Sequence, residues 1–94
     1  MNRYYKHYGE SLEGVGTVYL ETEGDVVVRQ VEVYGDRRFW SNQHTQSDIT
    51  HRICDRPVSE LRLTRADQTT PKEFEAVWRR ARQDAQEISP DEEA

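Results

Sequence analysis

Hydrophobic and polar residues alternate with a period of two over residues 15–40, and valine occupies many of the hydrophobic positions. This pattern is typical of β-strands that are buried on one face. Short turn sequences interrupt it at residues 23–25 and 35–36, and each of them contains a glycine. Because such short turns join neighbouring antiparallel strands, the pattern predicts a β-meander.

The turns divide the first half of the chain into four predicted strands. We expect strands at residues 3–8, 15–22, 25–34 and 37–42. Residues 9–16 contain three glycines, and we expect them to form a loop.

The third predicted strand has two possible phases. Val31 and Val33 define an inward face, and the same phase extended backwards also places Arg29 inward. In one interpretation Arg29 reaches from the core face to a carboxylate. In the other, a β-bulge near Val28 turns Arg29 outward and sends Val26 and Val28 inward. We favour the bulge.

The middle of the chain is harder to interpret. Residues 43–57 are polar and aperiodic, which is typical of a packed surface loop or a functional loop. In residues 58–64, Leu61 and Leu63 lie two positions apart, which favours a fifth short strand. A helical turn at residues 58–61 is the alternative.

A helix is well marked near the end of the chain. Thr70 can cap it, Pro71 suits its first position, and Glu73 completes a capping box. Apolar residues then recur at helical spacing, so we expect a helix over residues 71–87. The stripe consists of Phe74, Val77, Trp78, Ala81 and Ala85.

These elements predict an α+β fold, in which one C-terminal helix packs across one face of an antiparallel meander of three to five strands. Residues 1–88 are expected to form a single domain, and residues 89–94 an acidic disordered tail. The predicted core contains Val18, Leu20, Val31, Val33, Leu61, Leu63, Phe74, Val77 and Trp78.

Composition indicates that this core is thin. The chain has 94 residues, of which 34% are hydrophobic and 33% charged, and the mean hydropathy is −1.03. A domain of this size buries only roughly 60–65% of the surface of its unfolded chain. A homodimer that buries a sheet edge or face would relieve the shortage of core.

The sequence predicts a cytoplasmic protein. Its single cysteine excludes an intramolecular disulfide framework. The first residues lack the apolar run of a signal peptide, and no segment approaches the ~18 consecutive apolar residues of a membrane helix. We therefore expect no membrane association.

No catalytic or metal-binding motif stands out. His44, His51 and Cys54 share one loop, but their spacing fits no familiar zinc arrangement. Arg52 flanks Cys54 and would favour a thiolate, yet so small a domain offers little room for a substrate pocket. We therefore predict no catalytic residues, no metal ligands and no cofactor, and we interpret the protein as non-enzymatic.

Two basic segments are candidates for binding. Arginine outnumbers lysine eleven to two, and the formal net charge of −5 is unevenly distributed along the chain. Residues 37–82 carry ten basic and six acidic side chains, whereas residues 83–94 carry five acidic and no basic ones. The candidate binding residues are Arg37, Arg38, Trp40, Arg79, Arg80 and Arg82.

This combination of tryptophan and arginine suits two kinds of partner. Trp and Arg dominate the energetics of protein interfaces, and we favour an unidentified protein partner, with Trp40 as an outward anchor. The alternative is nucleic acid, bound by the 37–40 strand and by the helix face at residues 79–82. The net charge of −5 and the acidic C-terminus oppose nucleic acid.

The sequence also resembles a set of small uncharacterised bacterial domains. The resemblance is carried by RQVEVYGD at residues 29–36, within a strand of the pattern R-x-V-E-x-[FY]-x-D, and by TPKEFEAVWRRA at residues 70–81. It covers both ends of the fold but not residues 43–68. It implies an α+β domain of unknown activity, and the toxin systems near some such domains imply an immunity-type role.

Overall fold

The computed structural model describes the backbone of residues 1–88 and the side chains of residues 1–84. Four antiparallel strands lie side by side in chain order, and a helix packs on one face of the sheet. The predicted α+β meander is therefore confirmed, with four strands. The elements are β1 (Arg3–Ser11), β2 (Gly14–Glu23), β3 (Val26–Tyr34), β4 (Arg37–Asn42) and α1 (Pro71–Ile88). The predicted acidic tail, residues 89–94, lies outside the described residues.

The start of α1 follows the predicted Thr70 cap and Pro71 start, but the Glu73 carboxylate contacts Thr69 and Lys6 and does not complete the predicted capping box. Pro71 is the first helical residue, and the backbone N–H of Glu73 donates to the Thr70 hydroxyl at 3.0 Å. The Glu73 carboxylate accepts hydrogen bonds from Thr69 and from Lys6 on β1. The cap therefore also fixes the helix to the first strand. Among the described residues, no helix is long and apolar enough to cross a membrane.

The β1–β2 hairpin is longer than predicted. Only Leu12 and Glu13 separate the strands, so the loop expected at residues 9–16 is wrong. Gly9 and Gly16 instead face each other within the ladder. A Cβ on Gly16 would lie 2.0 Å from the Val33 carbonyl oxygen, and a Cβ on Gly9 would lie 2.6 Å from a methyl group of Val18. These two glycines allow close packing, and they do not form the turn.

The third strand contains the bulge that the sequence suggested. Glu21 pairs with Arg29 and Thr22 pairs with Val27, which leaves Val28 as the extra residue. The side-chain directions expected from it are wrong, however, because Arg29 lies on the helix face and Val26 is exposed. Carboxylates on both sides of Arg29 make its inward position favourable.

Residues 43–68 cover the face of the sheet opposite α1. They contain two short 3₁₀ turns, Val58–Glu60 and Arg65–Asp67, so the predicted fifth strand is wrong and the helical-turn alternative is correct. Arg62 adopts a left-handed φ of 58°, and the residues on either side of it, Leu61 and Leu63, both pack towards the sheet. A kink rather than a strand therefore brings the two leucines to the core.

The sheet thus separates two hydrophobic clusters. The cluster under α1 is built around Val31, Phe74 and Ala81, and the cluster under residues 43–68 is built around Tyr5, Leu20 and Val27. The residues predicted to form one core divide between these clusters. The layer between the sheet and α1 contains Val31, Val33, Phe74, Val77 and Trp78. The opposite face of the sheet holds Val18, Leu20, Leu61 and Leu63.

Candidate protein-interaction surface

The predicted binding arginines do not form one basic patch. Arg37 pairs with Glu13 at 2.7 Å and lies over the Phe39 ring, on the face opposite α1. Arg38 and Arg80 both approach Asp84, at 3.1 and 3.5 Å. Arg37 alone lies on the face opposite α1. The other five predicted binding residues lie on the α1 side: Arg38, Trp40, Arg79, Arg80 and Arg82.

Trp40 lies in the layer between β4 and α1. It packs edge-on against Trp78, with ring centres 5.6 Å apart, and the Arg82 guanidinium lies 4.4 Å from its ring centre. Trp40 is half-buried, and its indole nitrogen has no hydrogen-bond partner within the described part of the chain. This tryptophan contributes to helix docking rather than projecting outward as an anchor.

These contacts change what the arginines offer to a ligand. Arg37 is paired with Glu13, Arg38 and Arg80 share Asp84, and Arg82 rests on aromatic rings. A nucleic acid would have to compete with the paired carboxylates for these side chains. The placement therefore gives the nucleic-acid interpretation little support.

Arg29 is the best-connected charged residue between sheet and helix. Its guanidinium forms ion pairs with Glu21 on β2 and Glu75 on α1, and it lies about 5.0 Å from the ring centres of Phe74 and Trp78. It therefore joins the two layers through both charge and aromatic contact. The sequence reasoning missed this role, although the inward alternative for Arg29 contained it.

Glu21 is held ionised within this cluster. Burial by itself would raise the pKa of the Glu21 carboxyl, but hydrogen bonds from Arg29, Asn2 and Tyr4 and the charge of Arg29 together lower it. The Asn2 amide donates at 2.8 Å and the Tyr4 hydroxyl at 3.1 Å. Both oxygens of the Glu21 carboxylate accept hydrogen bonds from neighbouring side chains, so the cluster stabilises the contact between sheet and helix.

The residues considered for metal or nucleophilic chemistry are dispersed. His44 is exposed, whereas His51 is buried and stacks on Phe39 with ring centres 3.7 Å apart. The Cys54 thiol makes a weak contact with the Arg56 carbonyl oxygen at 4.0 Å. Within the described residues, no three His, Cys, Asp or Glu side chains are grouped as metal ligands.

Cys54 instead lines an open groove of about 500 Å³. One wall is the β2–β3 turn with Asp25 and Val26, and the other is formed by residues 53–57. Both apolar and charged residues line it. The groove is a shallow surface feature beside the β2–β3 turn.

Three exposed apolar side chains lie together at the far end of the β1–β2 hairpin. Tyr8, Leu12 and Val15 are 64%, 101% and 57% exposed. Tyr8 and Val15 lie on the helix face of the sheet, beyond the position where Lys6 contacts the start of α1. We call these three side chains, together with the outer edge of residues 7–11, the hairpin surface.

The two edges of the sheet differ in how they are covered. The β4 edge is capped, because Trp40 accepts a hydrogen bond from the Ser47 N–H and Asn42 donates to Thr45. The β1 edge is capped only at its beginning, where the Thr69 N–H donates to the Tyr4 carbonyl oxygen and Gln68 pairs with Tyr5. In the described structure, residues 7–11 have no strand on their outer side.

Sequence reasoning did not single out this hairpin surface, because residues 9–16 were interpreted as a loop. A signal for the longer strand was present, because the alternating pattern of Tyr4, Lys6 and Tyr8 continues to Glu10. No protein-family model, curated protein or solved structure matches the chain.

Proposed function

We propose that the protein is a non-enzymatic protein-binding module of the bacterial cytoplasm, of the immunity or regulatory type, and that the hairpin surface is its contact site. The observation that carries this proposal is the combination of exposed apolar side chains with an uncovered strand edge. An exposed edge offers backbone donors and acceptors to an incoming strand, and adjacent apolar groups add burial.

The remaining surface supports this choice. The β4 edge is capped by its own chain, and most of the predicted binding arginines are paired within the fold. Natural sheets commonly protect their edges, so an edge left open beside Tyr8 and Leu12 is a recognisable interaction feature. The immunity-type role rests on the bacterial resemblance.

Site-specific photo-crosslinking in the native host tests the contact site. A photoreactive amino acid at Leu12 should give a discrete protein adduct, because Leu12 projects from the turn of the hairpin surface. The same probe at Glu60, an exposed residue on the opposite face, is the matched control and should give none. The adducts are identified by gel shift and mass spectrometry.

A second variant makes the result specific. Val15→Glu places a charge within the apolar patch without entering the core, since Val15 is 57% exposed. It should abolish the Leu12 adduct and leave the thermal melting curve nearly unchanged. Equal adducts from Leu12 and Glu60, or no adduct from either position, would contradict the proposed contact site.

A further inference from the structure

The uncovered part of β1 presents its backbone in a defined phase. Backbone groups of a strand point alternately to its two sides, and the outward side is fixed by Tyr4, whose carbonyl oxygen accepts from Thr69. Tyr8 has the same phase as Tyr4, and so does Glu10. Among the described residues, the outward N–H groups of Tyr8 and Glu10 have no backbone acceptor.

One side chain contacts this edge. The Nδ1 atom of His7 lies 2.8 Å from the Tyr8 carbonyl oxygen. A carbonyl oxygen has two lone pairs, so this contact leaves room for a second donor. The edge therefore keeps its capacity to accept an added strand.

We propose that the strand added here is β1 of a second copy of the chain, paired antiparallel about a two-fold axis at Gly9. This inference rests on the proposed protein-binding function and names its partner. The axis follows from the space available, because Gln68 already occupies the outer side at Tyr5 and leaves residues 7–11 free. Gly9 is the centre of that segment.

The pairing is self-complementary in hydrogen bonding. About this axis, Tyr8 lies opposite Glu10 of the second copy, and the two residues exchange both backbone hydrogen bonds. The symmetric pair does the same, which gives four bonds. Gly9 meets Gly9 of the second copy at the close, non-hydrogen-bonded crossing, where the absence of side chains favours a close approach.

The pairing is also complementary in charge. Lys6, Tyr8 and Glu10 share the helix face of β1, and Lys6 lies diagonal to Glu10 of the second copy. Diagonal side chains of this length can reach each other across strands. Lys6 already donates to Glu73 of its own copy at 2.8 Å, and its ammonium group has two further donors with which it can reach Glu10 across each half of the interface.

The architecture limits the assembly to two chains. Pairing at β1 uses the same edge of both copies, so the interface is isologous and closed. The edge that remains on each side is β4, and its own chain caps it at Trp40 and Asn42. The product is a continuous eight-stranded sheet with a helix from each copy.

Sedimentation velocity of the purified full-length protein tests the inference. The wild-type chain should shift from monomer to dimer over roughly two decades of concentration. Tyr8→Pro removes an outward N–H that the β1–β2 ladder does not use, and it should give a monomer at all these concentrations. Its circular dichroism spectrum should match that of the wild type.

A charge change keeps the test decisive if the proline variant misfolds. Glu10→Lys places like charges on both diagonals and leaves the Lys6–Glu73 pair of the fold in place, and it should weaken dimerisation roughly tenfold. Glu23→Lys, the same charge change at an exposed site on β2, should have no effect.

The outcomes separate the two proposals. A wild-type chain that is monomeric throughout, but gives a Leu12 adduct with another protein, would overturn the dimer and keep the protein-binding function. A dimer insensitive to Tyr8→Pro and to Glu10→Lys would overturn this interface. No adduct and no dimer would contradict both proposals.

Discussion

The two faces of the sheet are covered in different ways. One face is covered by α1, which contributes aromatic side chains and receives Arg29 from the sheet. The other is covered by residues 43–68, which have little regular structure and contribute mainly aliphatic side chains. The two layers have similar roles in burial but differ in how they are held.

The helical layer is held by side chains, and the irregular layer is held by its backbone. Gln30 accepts a hydrogen bond from the Cys54 N–H at 2.9 Å and donates to the Arg52 carbonyl oxygen at 3.2 Å. Asp25 accepts from the N–H groups of Val58 and Ser59. Outside its two 3₁₀ turns this segment makes few backbone hydrogen bonds of its own, and polar groups of the sheet satisfy some of the remaining backbone groups.

Removing the main anchor of the helical layer should have the largest effect. Phe74 is fully buried and contacts Tyr4, Trp78 and Arg29. Phe74→Ala should lower the free energy of unfolding by roughly 3–5 kcal/mol, a large fraction of what a domain of this size has. Urea titration measures this loss. Phe74→Leu, the control, should lose much less, and equal midpoints for wild type and Phe74→Ala would refute the assignment of this anchor.

The charged centre of the same layer should respond to acid. Since the pKa of Glu21 is lowered in the folded state, its ionised form contributes stability above its unfolded pKa of about 4.3, and that contribution is lost as the pH falls through the folded value. Glu21→Gln should cost roughly 1–3 kcal/mol at pH 7. As the pH is lowered below about 5, the free energy of unfolding of the Glu21→Gln variant should fall less steeply than that of the wild type.

Chemical denaturation at a series of pH values measures both effects. Glu23→Gln, at an exposed site on the same strand, is the control and should follow the wild-type curve. Parallel acid profiles for Glu21→Gln and the wild type would mean that the Arg29 cluster does not set the acid sensitivity.

Loosening the irregular layer should have a smaller and local effect. Gln30→Met keeps the side-chain volume but removes both hydrogen bonds to residues 52 and 54. This loss should lower the free energy of unfolding by about 1–2 kcal/mol. Amide exchange near Cys54 should accelerate while exchange within α1 is unchanged. Gln83→Met on the exposed side of α1 is the matched control, and a uniform acceleration across the domain would show that the two layers are not separable.

The same contrast explains what the sequence could predict. The start of α1 and the strand order depend on local signals, such as the cap at Thr70 and the turns at Gly24 and Gly35, and both predictions are confirmed. The layer formed by residues 43–68 has no periodicity, because distant groups such as Gln30 fix its path. Local sequence cannot reveal such a path.

The candidate site was less predictable for a related reason. The inward orientation of the Arg29 side chain depends on Glu75, 46 residues away, and the burial of Trp40 depends on its packing against Trp78. The hairpin surface was missed because glycines were interpreted as turn residues, whereas Gly9 and Gly16 permit close strand packing. Each error comes from a tertiary contact that overrides a local preference.

The ion pair between Lys6 and Glu73 has a consequence for folding. It joins residues 67 positions apart, whereas the hairpins of the meander join near neighbours. Closing so long a loop costs more chain entropy than closing a hairpin, and that cost precedes any gain from helix docking. The helix thus links the late part of the chain to its first strand, so a nascent chain cannot complete the domain until α1 has been synthesised.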